Sequence, residues 1–174
     1  ALTLDGEQDY VFIGDRQEAR IERFTITAWT RSDGETSDAI REEVLEKTDS
    51  YWLNIRRDTR LARTGSLFGE CGRPTTWRYL DSGEAIPKDG WTHLAATYDG
   101  ATLKVFVNGS LSSTLQVGRG ICPDVSSILT IGAKLQSLEA DPEALFSGAI
   151  DEVRLYERAL EPEEILTVMH ARPA

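Results

Sequence analysis

Residues 146–160, FSGAIDEVRLYERAL, alternate with a period of two and place Ala149, Asp151, Val153 and Leu155 on one strand face. Ile150, Glu152, Arg154 and Tyr156 fall on the other. Asp151 thus shares a face with apolar side chains that are expected to point inward, and a carboxylate there needs a partner, because an unpaired buried charge is very costly.

Other acidic residues invite a hydrolytic reading. Glycosidases set two carboxylates across the scissile bond, roughly 5–5.5 Å apart for retention or roughly 6.5–9.5 Å for inversion. The nearest spacing is Glu139-Ala140-Asp141-Pro142-Glu143, but Pro142 excludes a central strand and the flanks read as a surface loop. Glu42 and Glu43 are adjacent in sequence on an expected loop and make no better active site. Nucleophilic chemistry has no support: His93 lies in an expected strand, His170 in the terminal segment, and neither a GxSxG elbow nor a phosphate-cradling loop is present. The chain is therefore not expected to be an enzyme.

Sugar binding needs an aromatic platform beside hydrogen-bonding side chains. On the strand expected over residues 51–56, Tyr51, Leu53 and Ile55 share one face, while Trp52, Asn54 and Arg56 project to the other. On residues 75–80, Trp77 and Tyr79 share a face. If Trp52, Asn54, Arg56 and Trp77 converge on an open sheet face, they can stack on a glycan and hydrogen-bond it; otherwise each aromatic is half-buried core. Trp29 and Trp91 read as core. The two cysteines, Cys71 and Cys122, allow one intrachain pairing and match no zinc or redox spacing. Their disulfide would close a loop of roughly 50 residues, worth about 4 kcal/mol, and would imply an oxidising compartment. The alternative is two reduced, buried thiols. Asn108-Gly109-Ser110 is formally a glycosylation sequon, but turn chemistry already explains Asn-Gly.

The elements that must hold these residues are mostly short strands. Residues 91–109, WTHLAATYDGATLKVFVNG, read as strand, Asp99-Gly100 turn, strand and Asn108-Gly109 turn, a strong hairpin signal. LTL, YVFI, FTITAWTR, YWLNIRR, LARTGSLF, TTWRYL, LSSTLQV and ILTIG continue the pattern, which suggests a sandwich or jelly roll rather than parallel α/β units. Residues 37–48 read as an exposed loop followed by a strand at about Val44–Lys47. From Glu161 a short helix is predicted, with Pro162 at its first position and Ile165, Leu166 and Met169 as its apolar stripe, capping the sandwich edge.

The 174 residues suit one domain with a sizeable core, and 40% are hydrophobic. A net charge of −10 argues against nucleic acid and anionic membrane surfaces, both of which need clustered Lys and Arg. No apolar run reaches the length of a membrane span, so no membrane insertion is expected. The chain opens on Ala1 and directly on a strand, as expected of a module of a larger protein.

LDGEQDYVFI, FTITAWTR, WTHLAATYDGATLKVFVNG, LTIGA and FSGAIDEVRLYERALEPEEI, in that order from about Leu2 to Ile165, resemble the signature blocks of LamG-like jelly-roll domains of the concanavalin A-like lectin/glucanase superfamily. The resemblance implies an all-β fold, a two-sheet antiparallel jelly-roll sandwich, as one domain over residues 1–174. It implies a noncatalytic extracellular, cell-surface or periplasmic module that recognises a carbohydrate or another extracellular ligand. The alternative is a structural, adhesion or sensor domain of a bacterial surface or envelope protein working through protein contacts. The resemblance also implies a structural calcium ion near the chain ends, with Asp5, Asp9 and Asp151 as its ligands; their spacing matches no EF-hand loop, so such a site must be assembled across strands. Asp151 is then either a calcium ligand or a structural carboxylate that accepts backbone N–H groups.

Overall fold

The computed structural model describes residues 1–33, 40–68, 76–117 and 126–171. In chain order its strands are β1 (Leu2–Asp5), β2 (Val11–Gly14), β3 (Phe24–Ser32), β4 (Arg41–Lys47), β5 (Tyr51–Arg56), β6 (Leu61–Phe68), β7 (Thr76–Ala85), β8 (Thr92–Tyr98), β9 (Thr102–Val107), β10 (Ser110–Gln116), β11 (Leu129–Ile131) and β12 (Ser147–Tyr156), followed by helix α1 (Pro162–His170). One sheet runs β1–β12–β3–β8–β9–β10 and the other β2–β11–β4–β5–β6–β7, with every pairing antiparallel. The expected two-sheet sandwich with a short C-terminal helix is what forms.

The core lies between the sheets. Alternation on β5 turns Tyr51, Leu53 and Ile55 inward, where all are fully buried. Phe24 of β3 stacks on Tyr51 at 5.2 Å, and Tyr98 of β8 packs against Phe24 at 6.0 Å. The Tyr51 hydroxyl donates to the Ala19 carbonyl at 2.9 Å, so this phenol is buried without an orphaned polar atom. The Asn108-Gly109 turn adopts φ of 48° and 78°, the left-handed pair that a tight two-residue hairpin requires.

Four expectations need correction. Strand β4 begins at Arg41, so Glu42 and Glu43 lie in the strand and are buried. Strand β12 bulges between Asp151 and Arg154, where Glu152 takes φ of 52°. The extra residue breaks the alternation, and the Asp151 side chain stays 44% exposed rather than turning into the core. Trp91 is 41% exposed, with Arg31 Cζ 5.5 Å from its ring centroid, so it is not core. Helix α1 buries Ile165 against Ala95, Phe106 and Leu160, residues of or beside the β8–β9 pair, and so covers the outer face of a sheet instead of an edge. Cys71 and Cys122 lie outside the described residues.

Glu42 bridges the two sheets. Its partner on β5 is the core residue Ile55, so it points inward. Ser32 Oγ of β3 donates to Glu42 Oε2 at 2.5 Å, and the Ser147 N–H of β12 donates to Oε1 at 3.3 Å. Arg57 and Arg60 approach the same carboxylate at 3.6 and 3.7 Å. A buried carboxylate is tolerable only with such a set of partners.

Candidate ligand-binding site

The outer face of the sheet β4–β5–β6–β7 carries a cleft of about 260 Å³. Strand register explains which side chains reach it. Trp52 of β5 is flanked by Glu46 of β4 and Gly65 of β6, and Gly65 in turn by Tyr79 of β7. One step along, Glu43, Asn54, Arg63 and Asp81 form the next cross-strand row. Arg41 and Lys134 complete the lining, with Trp77.

Three aromatic rings form one wall. Trp77 and Tyr79 are 46% and 55% exposed, and Trp52 is half-buried with its ring centroid 5.1 Å from that of Trp77. Gly65 leaves the space that the Trp52 indole fills. The Tyr79 ring has the Arg63 guanidinium 4.3 Å from its centroid, and Asp81 holds that guanidinium through bonds of 2.5 and 2.8 Å. Exposed aromatics held this firmly meet a ligand with little loss of side-chain entropy.

The opposite wall is polar and buried. Arg41 Nε donates to Glu43 Oε1 at 2.6 Å, and Asn54 Nδ2 donates to the same oxygen at 3.2 Å. Glu43 Oε2 and Asn54 Oδ1 are buried and have no hydrogen-bond partner among the described residues. Each such orphan costs about 1–3 kcal/mol, so a ligand donor that reaches it recovers that energy. Burial raises the carboxyl of Glu43, while Arg41 and Asn54 oppose the shift. Glu46 is pushed up to about 9 by burial and by the neighbouring Glu43, so near neutral pH this carboxyl pair holds a proton.

Of the residues expected to bind a ligand, Trp52, Asn54 and Trp77 line the cleft together. Arg56 does not: its guanidinium is turned to Asp58, with Nε donating to Oδ1 at 2.8 Å. Glu43 is passed over in the sequence because it falls on the exposed loop expected ahead of the strand, and Glu46 is not singled out there. The register shift between Glu43 and Leu45 inserts a residue in β4 and returns Glu46 to the face of Glu43. Tyr79 was legible as a face-mate of Trp77.

The chain-end carboxylates are arranged differently from the expected cation site. Asp5 lies opposite Ser147 in the β1–β12 ladder, whereas Leu2 lies opposite Ile150, so Asp151 sits past the other end of β1. Asp5 Oδ1 accepts the N–H groups of Glu7, Gln8 and Asp9 at 2.8, 2.9 and 3.0 Å, and these bonds, led by Gln8, hold its carboxyl below the usual range. Asp151 Oδ1 accepts the Glu152 N–H at 2.9 Å, and Oδ2 lies 3.3 Å from the Ala1 backbone nitrogen. Asp5, Asp9 and Asp151 therefore do not surround one ion, and among the described residues no three His, Cys, Asp or Glu side chains are grouped to hold one. No described helix is long and apolar enough to cross a membrane.

Comparison with known proteins agrees with this architecture. Residues 5–166 match the family model, of laminin G type, described as the concanavalin A-like lectin/glucanases superfamily. Pappalysin-1 of Mus musculus is 26% identical over 190 residues, which take in 99% of this chain but 11% of that protein. The chain thus spans about a tenth of the length of this curated relative. Domain 4 of AbnA, a GH43 extracellular arabinanase from Geobacillus stearothermophilus solved with arabinotriose, superimposes with a TM-score of 0.64 at 22% identity, covering 97% of this chain and 75% of that one. The CBM40 of a Ruminococcus gnavus sialidase, bound to α2,3 sialyllactose, does so with a TM-score of 0.68 at 16% identity, covering 93% and 97%. At these identities the likeness is one of fold.

Proposed function

We propose, for a chain that belongs to the concanavalin A-like lectin/glucanases superfamily, that it is a noncatalytic carbohydrate-binding module of an extracellular protein, and that the cleft on β4–β7 is its binding site. The observation that carries this reading is the pairing of exposed Trp77 and Tyr79 with the unpartnered, buried oxygens of Glu43 and Asn54. A saccharide offers what each wall lacks: a C–H face for the rings and hydroxyl donors for the oxygens. The extracellular setting is supported by a structural neighbour that is a domain of an extracellular arabinanase.

Binding is favoured over cleavage by the state of the two carboxylates. Hydrolysis needs an acid at the leaving oxygen and a carboxylate at the sugar carbon or its water. Here Glu43 is tied through Oε1 to Arg41 and Asn54, and both Glu43 and Glu46 are buried on the same strand. A glycan array probed in calcium and again in EDTA tests the proposal. Binding of a saccharide in both conditions, lost in Trp77→Ala, supports it, and a wild-type protein that binds no glycan refutes it.

A further inference from the structure

The two unpartnered oxygens also indicate what kind of sugar the cleft takes. Asn54 must turn its amide nitrogen to Glu43, since a carboxylate oxygen accepts and an amide oxygen cannot donate to it. Its Oδ1 therefore faces away as an acceptor, as does Glu43 Oε2. The two atoms belong to side chains joined by that 3.2 Å hydrogen bond, and both residues line the same cleft.

We infer, resting on the glycan-binding reading, that the cleft takes an uncharged saccharide through two hydroxyls, one donating to Glu43 Oε2 and the other to Asn54 Oδ1, and that it disfavours sugars bearing a carboxylate. The charges of the lining point the same way. The Arg41 guanidinium is engaged by Glu43 and that of Arg63 by Asp81. Lys134, the remaining cation of the lining, acts on both Glu43 and Glu46. A ligand carboxylate placed at the orphan oxygens would meet two acceptors, Glu43 Oε2 and Asn54 Oδ1, where a hydroxyl can donate. Glu46, when it carries the proton of the carboxyl pair, supplies an O–H donor to a sugar oxygen.

The test titrates the wild-type protein with arabinotriose, cellotriose and lactose as neutral probes, and with 3′-sialyllactose and trigalacturonic acid as carboxylate-bearing ones. The inference expects a neutral probe to bind at least tenfold tighter than either acidic one. Glu43→Gln, checked for an unchanged Tm, should lose about tenfold in affinity, because its one amide oxygen stays with Arg41 and Asn54 and an N–H₂ donor then faces the sugar hydroxyl. Derivatives of the binding sugar lacking either hydroxyl should lose as much, a readout independent of whether the variant folds. Two outcomes overturn the inference while leaving the glycan-binding reading intact: Trp77-dependent binding of an acidic probe as tight as its neutral counterpart, or binding insensitive to both Glu43→Gln and hydroxyl removal. Absence of binding by every probe and by the wider array overturns both.

Discussion

The indole of Trp52 lies across its cross-strand partner Gly65, filling the space in which any other residue would place its side chain. A Cβ at Gly65 would collide with the Trp52 ring and come within 2.6 Å of the Arg78 carbonyl oxygen. The close approach of strand and ring seats Trp52 beside Trp77 and opens the cleft above Asn54.

Gly65→Ala therefore displaces the indole. Overpacking of this kind costs about 1–3 kcal/mol. The expected result is a lower urea midpoint, an altered near-ultraviolet circular dichroism from the Trp52–Trp77 pair, and at least tenfold weaker sugar binding. An unchanged dichroism spectrum would show that the indole does not depend on the missing side chain.

Glu46 makes the fold sensitive to alkali. In the folded chain its carboxyl holds a proton up to about 9, against an ordinary value of 4.5. Between those values the folded state binds the extra proton, so stability falls as the pH rises, by at most about 1.4 kcal/mol per pH unit for one proton. Urea midpoints at pH 6 and 8.5 should show the decline, and Glu46→Gln should flatten it.

His93 acts at the acid end with the opposite sign. It is buried against Trp29, at 5.4 Å between centroids, and burial, with Arg154 and His170 nearby, pushes it down to about 4 from 6.5. Its Nδ1 is buried and has no hydrogen-bond partner among the described residues. Its contribution is complete above pH 6.5 and is lost as the pH falls toward 4, where the unfolded chain takes up the proton first. His93→Phe should reduce that acid loss, measured as the slope of Tm between pH 6.5 and 4.5.

Glu42 is a structural bridge and not part of the cleft. Removing one member of a buried charge cluster costs about 3–5 kcal/mol. Glu42→Ala should lower stability by that order, removing the carboxylate that Arg57 and Arg60 approach. Sugar affinity, measured well below the new Tm, should be unchanged.

The elements whose alternation is unbroken were legible in the sequence. On β5 the inward Tyr51, Leu53 and Ile55 fixed the outward Trp52 and Asn54, and on β7 Trp77 and Tyr79 shared a face. Two of the misreadings sit where a single inserted residue resets the parity. The shift in β4 brought Glu43 and Glu46 to the cleft, and the one in β12 kept Asp151 out of the core. A bulge leaves almost no trace in residue types, since it changes the count of residues on one strand and not their chemistry. Arg56 stood on the right face but found a closer partner, Asp58, beyond the end of its strand.

The central claim is that the cleft between the Trp52–Trp77–Tyr79 wall and the Glu43–Asn54 pair binds a sugar. A glycan array read in parallel on the wild-type protein and on Trp77→Ala, with the Tm of both recorded, tests it most directly. The account predicts saccharide binding by the wild type and at least a tenfold loss in the variant at an unchanged Tm. A wild type that binds no saccharide, or a variant that binds as well as the wild type, would contradict it.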